Sequence, residues 1–270
     1  MNSMNIKEFI SQYRWIRDKD IKPLVTEYYL SKIISYISSQ EFWKNMILIW
    51  GSALRLLHWS ARQSEDLDYD VTWMDYDYFV WICEDIAYFL NSEWHQTSIE
   101  TSKANNWHCD FEIDTIIDTK DFGPINLPTR IELEIKIDAA NRNWNYNTEY
   151  RQLINKFSNV LIQTAPIEII VSKKIISFIE RSHQNKVHKD IYDIAAFMPY
   201  YGFDREYLYN ELEIYYDNQI IEILNSKLNK LVLCDLDLLS NRVEKILYSN
   251  EFLENMYDIK NILINWLNQR

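Results

Sequence analysis

Glycine is almost missing from this chain, with three residues in 270, and proline is nearly as scarce, with five. That scarcity excludes collagen-like repeats, Gly- or Pro-rich linkers and low-complexity tracts. Cysteine is short as well: Cys83, Cys109 and Cys234 are odd in number, far apart and without a CxxC pair. Neither a disulfide framework nor a zinc site fits that spacing, so all three are expected to be reduced core residues. Long hydrophobic runs are absent too; stretches such as "MILIW" stop at about five residues, against the ~20 needed to span a bilayer. The opening "MNSMNIKEFISQ" has no apolar signal region, and the expectation is a soluble, cytoplasmic protein with no membrane partner. Positive charge is also in deficit: the net charge is −12, which opposes indiscriminate binding to nucleic acid.

What is present is apolar and aromatic. Hydrophobic residues make up 47% and aromatics 15%, enough for a sizeable core, and most of the ten tryptophans are expected inside it. The cations are unevenly spread. From Arg142 to Lys189 eight Lys or Arg stand against three Asp or Glu, whereas Asp204 to Asp258 holds five against twelve. A polyanion would therefore meet the middle of the chain.

Periodicity predicts the elements. "KPLVTEYYLSKIISYISS" repeats apolar residues at helical spacing, "MILIW" reads as a buried strand and "ALRLLHW" as a short helix. "DLDYDVTWM" alternates as a strand does, and Asp75 can cap a helix running to about Leu90. Strands are expected over Trp94 to Thr101, Trp107 to Ile117 and Arg130 to Asp138, the last two joined by the turn-rich "DTKDFGPINLP". Helices follow over Pro166 to Arg181 and Val187 to Met198, then three or four more. The expected fold class is α+β: a mixed sheet with flanking helices in residues 1–145 and a helical domain in 146–270.

Chemistry concentrates in "WGSALRLLHWSARQSEDLDY", residues 50–69. On a strand Asp66 and Asp68 share a face, with Cα atoms about 6.6 Å apart, while Leu67 and Tyr69 face the core. Two carboxylates so spaced can hold a pair of hard divalent ions, Mg2+ first and Mn2+ as the alternative, given a third carboxylate on a neighbouring strand. "RIELEIKID" offers Glu132, Glu134 and Asp138 on one face with Lys136, and parity does not choose among them. Asp70 shares the face of Asp66 and is expected to be a bystander. The competing reading of an isolated Asp-Leu-Asp is the solvated side of an amphipathic sheet. Gly51 and Ser52 weigh against it: at a strand-to-helix junction they suit a phosphate, which favours a nucleoside triphosphate.

These residues resemble the "GGTALRLLYG...RFSEDLDF" signature of the AbiEii-type nucleotidyltransferase toxins, within the DNA polymerase beta superfamily. "LVTEYYLSKIISYI" is similar to the family's leading helix, and "KIISFIERSHQNKVHKDIYDI" to its later Lys…Asp segment, so about residues 20–200 are covered. The resemblance implies a nucleotidyltransferase-type sheet, with Gly51 and Ser52 in the phosphate motif and Asp66 and Asp68 as metal aspartates. It makes Glu134 the best match to the third carboxylate, Lys174 a triphosphate contact and Asp190 the acidic residue of the last motif. Two departures stand out: Trp50 replaces the usual first glycine, narrowing the phosphate loop, and Lys189 replaces an arginine, losing bidentate geometry.

Lys174 and Asp190 also lie in apolar helical stripes, so a structural ion pair between them competes with a role in the cleft. Arg62 suits either a phosphate or a loop, and His183 and His188, five apart, match no helical metal pair. The implied activity is transfer of NMP from an NTP to an acceptor hydroxyl, a tRNA 3' end or a protein, by the toxin of a toxin-antitoxin or phage-defence pair with a cognate antitoxin. The alternatives are an antibiotic-modifying nucleotidyltransferase and a non-catalytic nucleotide- or partner-binding module.

Overall fold

Strict alternation in "RIELEIKIDAAN" makes one side of this strand apolar and the other charged, and the structure uses it so: Ile131, Leu133, Ile135 and Ile137 are buried while Arg130, Glu132, Glu134 and Lys136 are exposed. The structure, a computed structural model, describes residues 5–13, 20–92, 96–103, 106–116, 130–141, 146–181, 187–199, 202–231, 233–250 and 252–268. The expected 118–128 loop, Trp94, Arg142, His183 and Lys186 lie outside the described residues, as does the side chain of Cys234.

Contacts divide the chain into two units, Met1–Trp59 with Gln63–Ala165, and Ser60–Arg62 with Pro166–Arg270. The first is a mixed α/β unit. Helix α1 (Ile6–Ser11) is closed by a capping box in which Asn5 and Glu8 satisfy each other's backbone N–H. Helix α2 (Ile21–Ser39) leads into strand β1 (Met46–Ile49), helix α3 (Trp50–His58) and strand β2 (Asp66–Val71). Helix α4 (Tyr76–Ser92) starts where the Asp75 carboxylate accepts the Tyr78 N–H at 2.8 Å. Strands β3 (Gln96–Lys103), β4 (Trp107–Ile116), β5 (Arg130–Asn141), β6 (Glu149–Arg151) and β7 (Ile162–Thr164) complete it.

The seven strands are ordered β3-β4-β5-β2-β1-β7-β6. Strand β1 runs antiparallel to β2 and parallel to β7, and β2 runs parallel to β5. All four residues of β1 are buried, as expected of a central strand. The sheet continues past residue 145, where a helical domain was expected, because β6 and β7 pair with each other and Leu48 pairs with Thr164. Three-residue strands carry too few alternations to show in the sequence. Helices α2 and α4 cover the apolar face: Tyr29 donates to Thr115 at 2.7 Å, and Phe79, Ile82 and Cys83 are fully buried. Cys83 and Cys109 are free and buried.

The tryptophans depart from expectation. Among the described ones only Trp107 is buried, while Trp59, Trp73 and Trp81 are exposed. Trp50, Trp59 and Trp73 all take left-handed backbone at chain reversals, with φ of 60°, 66° and 52°.

The second unit is helical: α5 (Ile167–Glu180), α6 (Val187–Phe197), α7 (Arg205–Tyr216), α8 (Ile220–Asn229), α9 (Leu233–Glu244) and α10 (Ile259–Asn268). Ser60–Arg62 joins it through the Tyr248 N–H to Ala61 carbonyl bond of 3.0 Å and the Arg62–Leu247 bridge. Among the described residues no helix is long and apolar enough to cross a membrane.

Candidate active site

The site grows from register. Asp66 and Asp68 open β2, half-buried on one face, with Leu67 and Tyr69 in the core behind them. On the parallel neighbour β5, Lys136 stands opposite Asp66 and Asp138 opposite Asp68. On β4, His108 stands opposite Asp138. A single row across three strands thus reads His108, Asp138, Asp68, on the charged side of the sheet.

Register separates the acidic residues that parity left together. Glu134 lies two residues short of the position opposite Asp66, and its carboxylate is held by Lys136 Nζ at 2.8 Å. It lines a groove with Glu112, Asp114 and Glu132 farther along the sheet. The same lysine binds Asp110 at 3.1 Å, and the two carboxylates together raise its pKa. Asp138 instead meets His108, whose Nδ1 is 2.6 Å from its Oδ1. Asp70, two residues beyond Asp68, is buried and accepts the Tyr146 hydroxyl at 2.7 Å.

Gly51 and Ser52 sit in the first turn of α3, directly after β1. Because Ile49 pairs with Asp68, that helix begins at the end of β2 that carries the two aspartates. The Ser52 hydroxyl donates to the Ile49 carbonyl at 3.3 Å, and both residues are buried. Trp50 takes φ of 60° at the position where the resembling family has glycine. Glycine adopts this conformation freely; for an indole-bearing residue it is strained.

Lys174 and Asp190 belong to the helical unit, in a network the sequence showed only in part. Lys174 Nζ lies 3.2 Å from Asp190 and 2.9 Å from Asp193. Arg62 grips Asp193 with two bonds of 2.9 Å, and Arg181 reaches Asp190 at 2.6 Å. Asp190 and Asp193 are wholly buried. Burial alone would raise the Asp193 pKa, but the Arg62 guanidinium and the Lys174 ammonium overcome it and hold the carboxyl below its ordinary range. Asp193 was missed although "DIYDI" places it three residues after Asp190, one helical turn along the same stripe. His188 is pushed down to about 4 by burial and by Lys189, Arg242 and Arg62.

Residues 35–250 match the family described as nucleotidyl transferase AbiEii toxin, type IV toxin-antitoxin system. The chain belongs to the AbiEii family. Among solved structures, it resembles the nucleotidyltransferase toxin MenT4 of Mycobacterium tuberculosis H37Rv with a TM-score of 0.67, at 10% identity, over 98% of this chain and 90% of that one. JHP933 of Helicobacter pylori follows at 0.55 and 16%, over 91% of each chain. A putative nucleotidyltransferase of H. pylori scores 0.54 at 16%, over 91% and 94%. At such identities the likeness establishes the fold, a nucleotidyltransferase sheet with flanking helices. No curated protein sequence matches.

Proposed function

We propose that this AbiEii-family member transfers a nucleoside monophosphate from an NTP to an acceptor hydroxyl, with divalent metal held by Asp66, Asp68 and Asp138. The observation that carries this reading is the register pair Asp68–Asp138 beside Asp66, at the strand end where α3 begins. Among the described residues no three His, Cys, Asp or Glu already converge as metal ligands. The donor chemistry nonetheless fits: three carboxylates on one face of two adjacent strands are hard oxygen donors of the kind Mg2+ or Mn2+ takes. Bound there, the metal supplies positive charge for the attacking oxygen and for the departing pyrophosphate. The third carboxylate thereby passes from Glu134, which Lys136 engages, to Asp138.

The chain's own residues do the rest. The turn bearing Gly51 and Ser52 presents backbone N–H groups at a helix start, where phosphate charge is favoured. The resemblance assigns a triphosphate contact to Lys174, whose ammonium is buried within the helical unit and held there by Asp190 and Asp193. The acceptor oxygen bonds to the α-phosphorus, the bridge to the β-phosphate breaks, and the hydroxyl proton is lost to solvent. A tRNA 3' end is the proposed acceptor, and the type IV family description implies a cognate antitoxin.

Labelled NTPs, Mg2+ and total RNA test this directly. Label should appear on tRNA-sized RNA with wild-type protein and fall by at least about 100-fold with Asp68→Ala, a residue placed to hold the metal. Absence of label from every RNA, protein and small molecule in a cell extract would refute the proposal.

A further inference from the structure

Asp138 stands between two competing partners. Its neighbour two residues back on the same face is Lys136, a cation long enough to reach it. Its neighbour across the strand gap is His108. The carboxylate goes to the histidine: Nδ1 and Oδ1 are 2.6 Å apart, and both side chains are about one-third exposed, at 36% and 34%. Lys136 is meanwhile taken by Asp110 and Glu134.

We propose that His108 is a positioning residue for Asp138, holding Oδ1 through Nδ1–H so that Oδ2 stays available to a divalent cation shared with Asp66 and Asp68. An imidazole suits the task because its ring is rigid and turns about only two bonds, so the direction of its N–H is set by packing. Strand pairing fixes the rest, since His108 is held opposite Asp138 by the β4–β5 ladder. Without the ring, Asp138 can swing toward Lys136 Nζ, and an ammonium bound to a ligating carboxylate competes with the metal for it. Hydrogen bonds to ligating carboxylates of this kind typically govern metal affinity by about 10- to 100-fold. The inference rests on the metal-binding reading above and adds the residue that sets the ligand's orientation.

Mn2+ titration of the full chain, followed by electron paramagnetic resonance without nucleotide, tests it. His108→Ala should weaken Mn2+ binding by about 10-fold or more. His108→Asn, whose amide N–H falls near the place of Nδ1–H, should return it to within about 3-fold of wild type. Thermal melting should be unchanged in both, since the side chain is partly exposed. Wild-type Mn2+ affinity in His108→Ala, alongside a loss in Asp138→Asn, would overturn the positioning role alone. Equal losses in His108→Ala and His108→Asn would overturn it too, because the ring itself would then be the ligand. Wild-type affinity in both Asp68→Asn and Asp138→Asn would instead refute the metal reading on which it rests.

Discussion

At the scale of single residues, two aromatic rings at the ends of α3 show different costs. Trp50 holds φ of 60° at the entrance to the helix, a conformation costing on the order of 1–3 kcal/mol in non-glycine residues. Its replacement of glycine was visible in the sequence, whereas the left-handed backbone that glycine would have relieved was not. His58, at the other end, is buried, and burial together with the charge of Arg151 lowers its pKa to about 3 from its ordinary value of 6.5. The unfolded chain takes up a proton near 6.5 and the folded chain only near 3, so acid favours unfolding. The full contribution of neutral His58 is present above the unfolded value and is lost as pH falls toward the folded one. By about pH 5 the loss is about 2 kcal/mol. Urea unfolding at neutral pH and at about pH 5 should therefore show a drop in stability that is smaller by about this amount in His58→Gln.

At the scale of elements, α5 and α6 are tied by Lys174, Asp190 and Asp193, with Arg62 and Arg181 completing the set. Each aspartate has a guanidinium of its own and shares the one lysine. Removing Lys174 leaves two matched pairs; removing Asp193 takes from Arg62 the carboxylate it grips twice and from Lys174 one of its two aspartates. Asp193→Ala should thus cost about 3–5 kcal/mol, the range for breaking a buried pair, and Lys174→Met a fraction of that, by denaturant unfolding. A Lys174→Met protein that stays folded yet loses transfer would separate contact with the triphosphate from structural support. These helices were legible from the sequence because 11 to 14 residues repeat their apolar stripe several times. The same holds for β2, β4 and β5, whose alternation assigns each side chain to a face. It does not say how far one strand has slid along another, which is why Glu134 and Asp138 look equivalent until pairing sets Asp138 opposite Asp68. Strands β6 and β7, three residues each, were too short to register at all.

At the scale of the whole molecule, the charge of −12 bears on what acceptor can approach and how tightly. The eight cations between Arg142 and Lys189 suggested a basic middle, but sequence counts treat every cation as free to meet a phosphate. Lys173 and Lys174 are buried, and Arg151 is bound by Glu149 at 2.8 Å. Arg181 also spends its charge, on Asp190. Among the described residues of that stretch, Lys156 is exposed and Lys189 partly so. An RNA acceptor held this way touches few phosphates, and each contact on a single strand contributes about −0.7 to the slope of log affinity against log salt. With about three contacts the slope is about −2. Measured as the KM for tRNA in rising KCl, the dependence should be no steeper than that, while the KM for NTP, set by the metal and a single triphosphate, should move less. A slope of −5 or beyond would mean that a far larger basic surface grips the RNA than these residues provide, and a flat line for an RNA acceptor would shift the choice toward a small or proteinaceous hydroxyl.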